Sequence, residues 1–279
     1  MSKRRDLENQ LRSLGEIKEI MNAMKNLALM EVHRLNRFLD TQRRVVASME
    51  AAAADFLLFH PEHLPGEEEF HNVRLLIGSE RGFCGDFNES LVRALDNQTG
   101  SAPDVTVVAV GSKLVDKLAG DTRVTASLVG TSVVEEVGAV LVKLMEALAG
   151  LRAPGVSGAP LLLTVLHHDA SEEGVRISTL RPFEKSKTQN ACFVHAPLLY
   201  LDPHAFWTGL AEQYLFAALH ELLYSSLMAE NQRRMQHMDA AVRRLERTSA
   251  ELWQRRNILR QEEITEEIEV IMLSVEALA

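Results

Sequence analysis

The sequence predicts an α/β protein built around a long antiparallel coiled coil: N- and C-terminal helices pair, and a Rossmann-like α/β domain is inserted between them. Three observations predict this class. Residues 210–279 contain no Gly and no Pro, and a helical pattern running much past about 25 residues belongs to a coiled coil rather than a globular helix. Residues 3–59 read as a second long helix, broken only at Pro61 and Pro65-Gly66. Between the two lie short apolar runs separated by helical segments, the grammar of a mostly parallel sheet. The expected domains are 1–60, 70–195 and 202–279.

The first helix opens its stripe with Leu7, Leu11 and Leu14. The stripe is read to continue through Ile17, Ile20, Met24 and Leu27, then to shift to Ala28, Val32, Leu35 and Leu39, because Lys18 and Lys25 fall where a strict heptad wants apolar residues. Gly15 is its weak point, and the alanines at 51–54 favour helix. In the middle, Val73–Ile77, Val105–Val110 and Leu161–Leu166 read as strands, with Val175–Leu180 as a further candidate. Residues 86–97, 112–119 and 133–149 look helical. Loops are expected at 98–104 and 150–160. Asp202-Pro203 opens the last helix, Asp at the cap and Pro at the first helical position. That helix could extend roughly 110 Å, and the first roughly 85 Å. In the last helix, Met235, Met238, Val242 and Leu245 set one stripe. Leu252 and Leu259 keep its register, and Ile264, Ile268, Ile271, Val275 and Leu278 set a second. The longer helix should project past its partner, leaving an apolar tip that another protein buries.

The net charge of −9 is unevenly spread. Residues 1–44 carry a net +4, residues 45–229 a net −11, residues 230–263 a net +2, and the last sixteen four Glu and no base. An acidic body argues against nucleic acid as a partner, since phosphate neutralisation needs a basic face. The Arg-rich helical segments admit two readings, a solvated face or a basic collar meeting an acidic partner. Cys84 and Cys192 are far apart in sequence, which fits a reduced compartment. No apolar signal region follows Met1, and no window suits a membrane span, because residues 210–229 contain Glu212, His220 and Glu221.

Gly78 to Asn88 follows a strand and precedes a helix, where a phosphate-cradling loop would lie. Its spacing misses the dinucleotide fingerprint, so its glycines read as permitting a tight turn. Gly111-Ser112-Lys113 lacks the rest of a phosphate-loop pattern. His167-His168-Asp169 reads as a polar loop rather than a metal site, because adjacent residues diverge and no partner set is evident. Cys84 reads as buried and structural. No Ser, His and Asp are placed for nucleophilic catalysis. No catalytic, cofactor or metal residue is expected.

Three segments together resemble the gamma subunit of F-type rotary ATP synthases. Arg12, Leu14, Ile20, Ala23 and Met24, followed by Leu27-Ala28, match the family's early helix. Ser79 to Asn88 is similar to its Ser-Asp-Arg-Gly-Leu-Cys-Gly-Gly-Leu-Asn. Arg234-Met235-Gln236-His237-Met238 matches Arg-Met-x-x-Met. Asn257, Arg260-Gln261, Ile264-Thr265 and Glu267-Ile268 match its C-terminal pattern. Met21-Asn22, Arg244-Leu245-Glu246, Arg256 and Leu273-Ser274-Val275 depart from it and mark a divergent branch.

The resemblance implies a non-catalytic rotor shaft. The coiled coil would stand inside the head of alpha and beta subunits. The α/β domain would sit against an epsilon-type stalk subunit and the membrane c-ring, at the cytoplasmic face of a bacterial inner membrane. It implies no nucleic-acid partner and no cofactor. Carried over residue by residue, the partner contacts are Met24, Arg234, Arg260, Gln261, Thr265, Glu267, Ile268 and Ile271, with Val275 among the tip residues. A coiled-coil scaffold or tether shares the long helices, and an enzyme with a Rossmann-like insert shares the glycine loop.

Overall fold

The computed structural model describes residues 2–63, 71–99, 105–151, 161–171, 174–180 and 198–276. Pro65-Gly66, Cys192 and nearly all of both expected loops lie outside them. Helix α1 spans Ser2–Phe59 and the final helix, α5, spans Pro203–Glu276. Between them run strand β1 (His71–Ile77), helix α2 (Phe87–Thr99), β2 (Thr106–Val110), α3 (Ser112–Lys117), β3 (Val124–Leu128), α4 (Val137–Gly150), β4 (Leu161–His168) and β5 (Val175–Leu180). The chain forms two compact units, Met1–Ala28 with Met235–Ala279, and Leu29–Arg234.

In the larger unit the sheet order is β3-β2-β1-β4-β5. All pairings are parallel except β4 with β5. Alternate residues of the central strands feed two cores, as a pleated strand dictates. Val73, Leu75, Ile77, Val108, Val110, Leu163 and Val165 pack with α4, with Leu35 and Leu39 of α1, and with Leu219, Leu223 and Leu227 of α5. Leu76, Val107, Ala109 and Leu166 face the other way, against Phe87, Leu91 and Leu95 of α2 and Leu114 of α3. Both faces of the sheet are covered, which is why its central strands are mostly apolar, with Arg74 in β1 and Thr164 in β4 the interruptions. Each fully buried leucine contributes about 2 kcal/mol.

Two strands depart from the expected outline. β3, Val-Thr-Ala-Ser-Leu, has no apolar run, because it is an edge strand of half-buried and exposed residues in alternation. β4 runs on through His167 and His168, which are buried strand residues rather than a polar loop. Their rings find partners on α2, just before β5 and on β5. His168 Nδ1 lies 2.9 Å from the Gly174 carbonyl oxygen and Nε2 3.0 Å from Ser90 Oγ, while His167 Nε2 lies 3.3 Å from Ser178 Oγ.

Also within this unit, α1 and α5 run antiparallel. Gln42 donates to the Ala217 carbonyl, Arg43 pairs with Glu221, and Tyr214 donates to Glu50. Ala53, Ala217 and Ala218 allow close approach beside Phe56, which stacks on Trp207 at 5.5 Å. Asp202 caps α5, its carboxylate accepting from the amides of His204 and Ala205.

In the smaller unit the helices are again antiparallel, joined by Arg4–Glu263 (3.0 Å), Lys18–Glu246 (2.8 Å) and Lys25–Asp239 (3.0 Å). The stripe on α1 does not shift. Leu7, Leu11, Leu14, Lys18, Met21, Lys25 and Ala28 are its less exposed residues in an unbroken heptad, whereas Ile17, Ile20 and Leu27 are exposed. The two lysines lie on the seam because their methylene stems pack there while their ammonium groups reach acidic partners on α5. Met238 is fully buried and Val242 nearly so.

Candidate functional site

Two groups of residues stand out, one in each unit. In the smaller unit α5 continues past Glu263, the partner of Arg4. From Ile264 to Ser274 every residue is exposed. This stretch presents Ile264, Ile268, Val270, Ile271, Met272 and Leu273, each 46–66% exposed. Arg260, Gln261, Thr265 and Glu267 are also exposed, and Met24 is half-buried. Thr265 donates to the Gln261 carbonyl at 2.9 Å, a bond inside the helix. The side chains of Arg260, Gln261 and Glu267 have no hydrogen-bond or ion-pair partner among the described residues, so their polar groups face solvent. Val275 lies on the helix, but its surroundings are outside the described side chains. Further back along α5, Trp253 carries the Arg256 guanidinium over its ring at 3.6 Å. Arg256 thus takes part in a local cation–π contact.

In the larger unit the turn after β1 occupies the mouth of the sheet. Gly78 accepts no side chain: a Cβ there would lie 2.4 Å from Leu114 Cβ. Asn88, at the start of α2, folds back on Ser79, receiving its amide at 3.0 Å and donating to its hydroxyl at 2.8 Å. Glu80 then points across the ends of the neighbouring strands. Its carboxylate accepts the Ser112 amide (2.9 Å), the Ser112 hydroxyl (2.7 Å) and the Gly130 amide (2.7 Å). Burial pushes this carboxyl up, but the Ser112 and Gly130 donors outweigh it and hold its pKa below the ordinary value. The amides that an α/β fold offers to a phosphate after its strands are here filled by the protein's own carboxylate. Within the glycine loop itself, the amides of Glu80 and Arg81 are taken by Glu230.

Beyond Glu80 the turn meets α5. Glu230 and Arg234, one helical turn apart, form a buried ion pair. The Glu230 carboxylate accepts the amides of Glu80 and Arg81, both at 3.4 Å. Arg234 Nε donates to the Gly82 carbonyl at 3.2 Å, Nη2 to the Arg81 carbonyl at 3.5 Å and to Cys84 Sγ at 3.4 Å, and Nη1 to Asn231 at 2.8 Å. Arg234 is therefore 6% exposed and spent inside this chain. Burial raises the Cys84 thiol to about 11 despite Arg234 beside it, so the sulfur is protonated and unreactive at neutral pH. The turn bends through Phe83 (φ 65°) and Gly85 (φ 64°), and the Phe83 ring is 55% exposed. Sequence reasoning missed Glu80 and Glu230. The legible signal for Glu230 was its i,i+4 spacing to Arg234; Glu80 gave none, because its partners lie 32 and 50 residues away.

Among the described residues no group of His, Cys, Asp and Glu could hold a metal ion, and no helix is long and apolar enough to cross a membrane.

Two long terminal helices on a five-stranded α/β sheet are an arrangement shared with known stalk proteins. The family model described as ATP synthase matches residues 3–278, and this chain belongs to that family. Its curated relatives are gamma chains. The ATP synthase gamma chain of Heliobacterium modesticaldum is 25% identical over 98% of both chains, and that of Leptospira biflexa serovar Patoc is 22% identical over the whole of both. Solved structures share the fold. A chain of the Euglena gracilis mitochondrial ATP synthase (OSCP/F1/c-ring, rotational state 3) superposes with a TM-score of 0.64 at 16% identity, covering 99% of this chain and 95% of that one. A chain of the Tetrahymena thermophila mitochondrial ATP synthase central stalk/c-ring gives 0.58 at 18% identity, covering 80% and 99%.

Proposed function

We infer that this chain is the central rotor shaft of an F-type ATP synthase, a non-catalytic subunit that transmits torque between an ion-driven membrane ring and the catalytic head. Family membership along nearly the whole chain supports the reading, and one structural observation carries it. An uninterrupted helix ends in a stripe of exposed isoleucines, a surface that has to be enclosed by another protein. Alpha and beta subunits are the proposed enclosure, an epsilon-type subunit and the c-ring the proposed neighbours of the α/β domain. The proposed location is the cytoplasmic face of a bacterial inner membrane, held there peripherally by the complex.

Torque from such a shaft works by differential contact. Each orientation of an asymmetric helix pair favours a different conformation of each surrounding catalytic subunit, and that difference in contact energy is the coupling. Met24, Arg260, Gln261, Thr265 and Glu267 are the proposed polar and half-buried contacts, with Ile268, Ile271 and Val275 riding in an apolar sleeve. Arg260 and Gln261 suit hydrogen bonds to acidic or backbone groups of a passing loop. Arg234, grouped with these by sequence, contributes through the turn at 80–84. Gln261→Leu in a reconstituted complex should reduce coupled ATP turnover while leaving the isolated subunit folded by circular dichroism. Normal turnover would remove Gln261 from the contact set.

A further inference from the structure

Within Leu29–Arg234, α5 meets the sheet mainly through apolar packing, which is strong but non-directional. Leucine faces resist separation better than they resist sliding or rotation. Directional bonds supply what packing lacks: Ser226 Oγ donates to the Ile77 carbonyl at the end of β1 (3.2 Å), and the rest converge on the turn that follows. Glu230 and Arg234 grip the same few peptide units from one helix face. Glu230 takes the amides of residues 80 and 81, and Arg234 takes the carbonyls of 81 and 82. A twist of α5 about its axis therefore pulls donors and acceptors of one peptide stretch together. The grip is nearly dry, with Glu230 3% and Arg234 6% exposed, so water does not readily substitute for a broken bond. One residue further, Glu80 passes the load sideways to the loops after β2 and β3 through Ser112 and Gly130. Arg233 adds only a solvent-exposed pair with Asp86.

We propose that the 79–85 turn is a torsional latch between α5 and the sheet, with Glu230, Arg234 and Glu80 as its positioning residues. It rests on the rotor reading: a shaft whose sheet domain is driven from one end needs its helix and sheet to turn as one body. The latch makes three strands, rather than one side chain, resist the twist. Its effect is stiffness.

The test uses the complete reconstituted ATP synthase with its head immobilised and a bead attached to the α/β domain. Angular fluctuation of the bead is recorded while the head is stalled. Arg234→Lys keeps a cation beside Glu230 but gives up the planar fork to the Arg81 and Gly82 carbonyls. The double variant Glu230→Leu/Arg234→Met removes the latch and the buried charges together. The expected result is an angular variance raised about twofold in Arg234→Lys, and further in the double variant, because each lost directional bond opens local freedom. Arg233→Lys should leave it unchanged. A merely structural role would lower the melting temperature and leave the variance of assembled complexes unchanged; that result overturns the latch. Failure of Arg234→Lys to assemble also overturns it, since the residue would then serve assembly rather than stiffness. Failure of the rotor reading looks different: the bead on the unmodified chain would not turn with ATP at all.

Discussion

Glu80 fills with its own carboxylate the donors that an α/β fold can offer to an anion, and its chemistry sets two predictions. Three donors converge on its carboxylate, two of them backbone amides that would otherwise be left unpaired. Glu80→Gln removes the charge and turns one acceptor into a donor facing donors. The free energy of unfolding should fall by about 2 kcal/mol, read from urea melts of the purified chain. The pH dependence has a definite sign. Burial, first among the causes, lowers the pKa of His167 and His168 below the ordinary 6.5. Glu80 and Asp169 are held below 4.5 and 3.8: burial alone would raise them, and hydrogen bonds from Ser112 and Ser171 more than offset it. In every case the folded chain binds its proton more weakly than the unfolded one. Their contribution is thus complete above the unfolded value and is lost as pH falls through the folded one. Urea midpoints should start to drop below about 6.5, from the histidines, and drop again below about 4.5, from the carboxylates. Glu80→Gln should flatten the second limb and spare the first. A midpoint that stays level from pH 7 to pH 5 would contradict the histidine assignment.

At the scale of elements, the turn after β1 separates glycines that must be glycine from those that need not be. A Cβ on Gly78 would meet Leu114 Cβ at 2.4 Å and Asn88 Oδ1 at 2.8 Å, and neither is the end of a free side chain. Gly78→Ala should destabilise by about 2–3 kcal/mol through overpacking. Gly82 has open space around its Cβ position, so Gly82→Ala should change thermal stability by no more than about 0.5 kcal/mol. Differential scanning calorimetry of the two variants side by side checks both. The long helices and four of the five strands, Val175–Leu180 included, were legible because periodicity, the Asp202-Pro203 cap and apolar runs are local signals. β3 was not, since an edge strand buries too little to need an apolar run. The α1 register differs from the expected one because a lysine at a heptad position reads as a break in the stripe, whereas long charged side chains serve on a seam when an acid faces them. The expected tight bend uses Gly78 and Gly85 but not Gly82, and what holds the bend comes from Glu230 and Arg234, about 150 residues away. No single-sequence pattern carries a contact of that separation.

For the molecule as a whole, the decisive feature is apolar surface without cover. Ile268 and Ile271 are 52% and 61% exposed, and Val270, Met272 and Leu273 about as much, on consecutive turns of one helix. Scattered exposed leucines are ordinary, but a contiguous band is not. If the band is a seat for neighbouring subunits, the purified chain should expose it and self-associate in a concentration-dependent way, despite a net charge of −9 that opposes association. Ile268→Ser/Ile271→Ser removes two branched side chains from that band. Each is worth about 1.5–3 kcal/mol when fully buried, so self-association should weaken by at least about tenfold. Sedimentation velocity over a concentration series measures it. The same substitutions touch no residue of the sheet, so the thermal transition of the larger unit should stay where it was. In the reconstituted complex the double variant should bind the head more weakly, because serine hydroxyls entering an apolar sleeve lack partners there. An unaltered association profile would mean that the isoleucines are not the adhesive surface, and the enclosure of the helix tip would then have to rest on the polar contacts, Arg260, Gln261, Thr265 and Glu267.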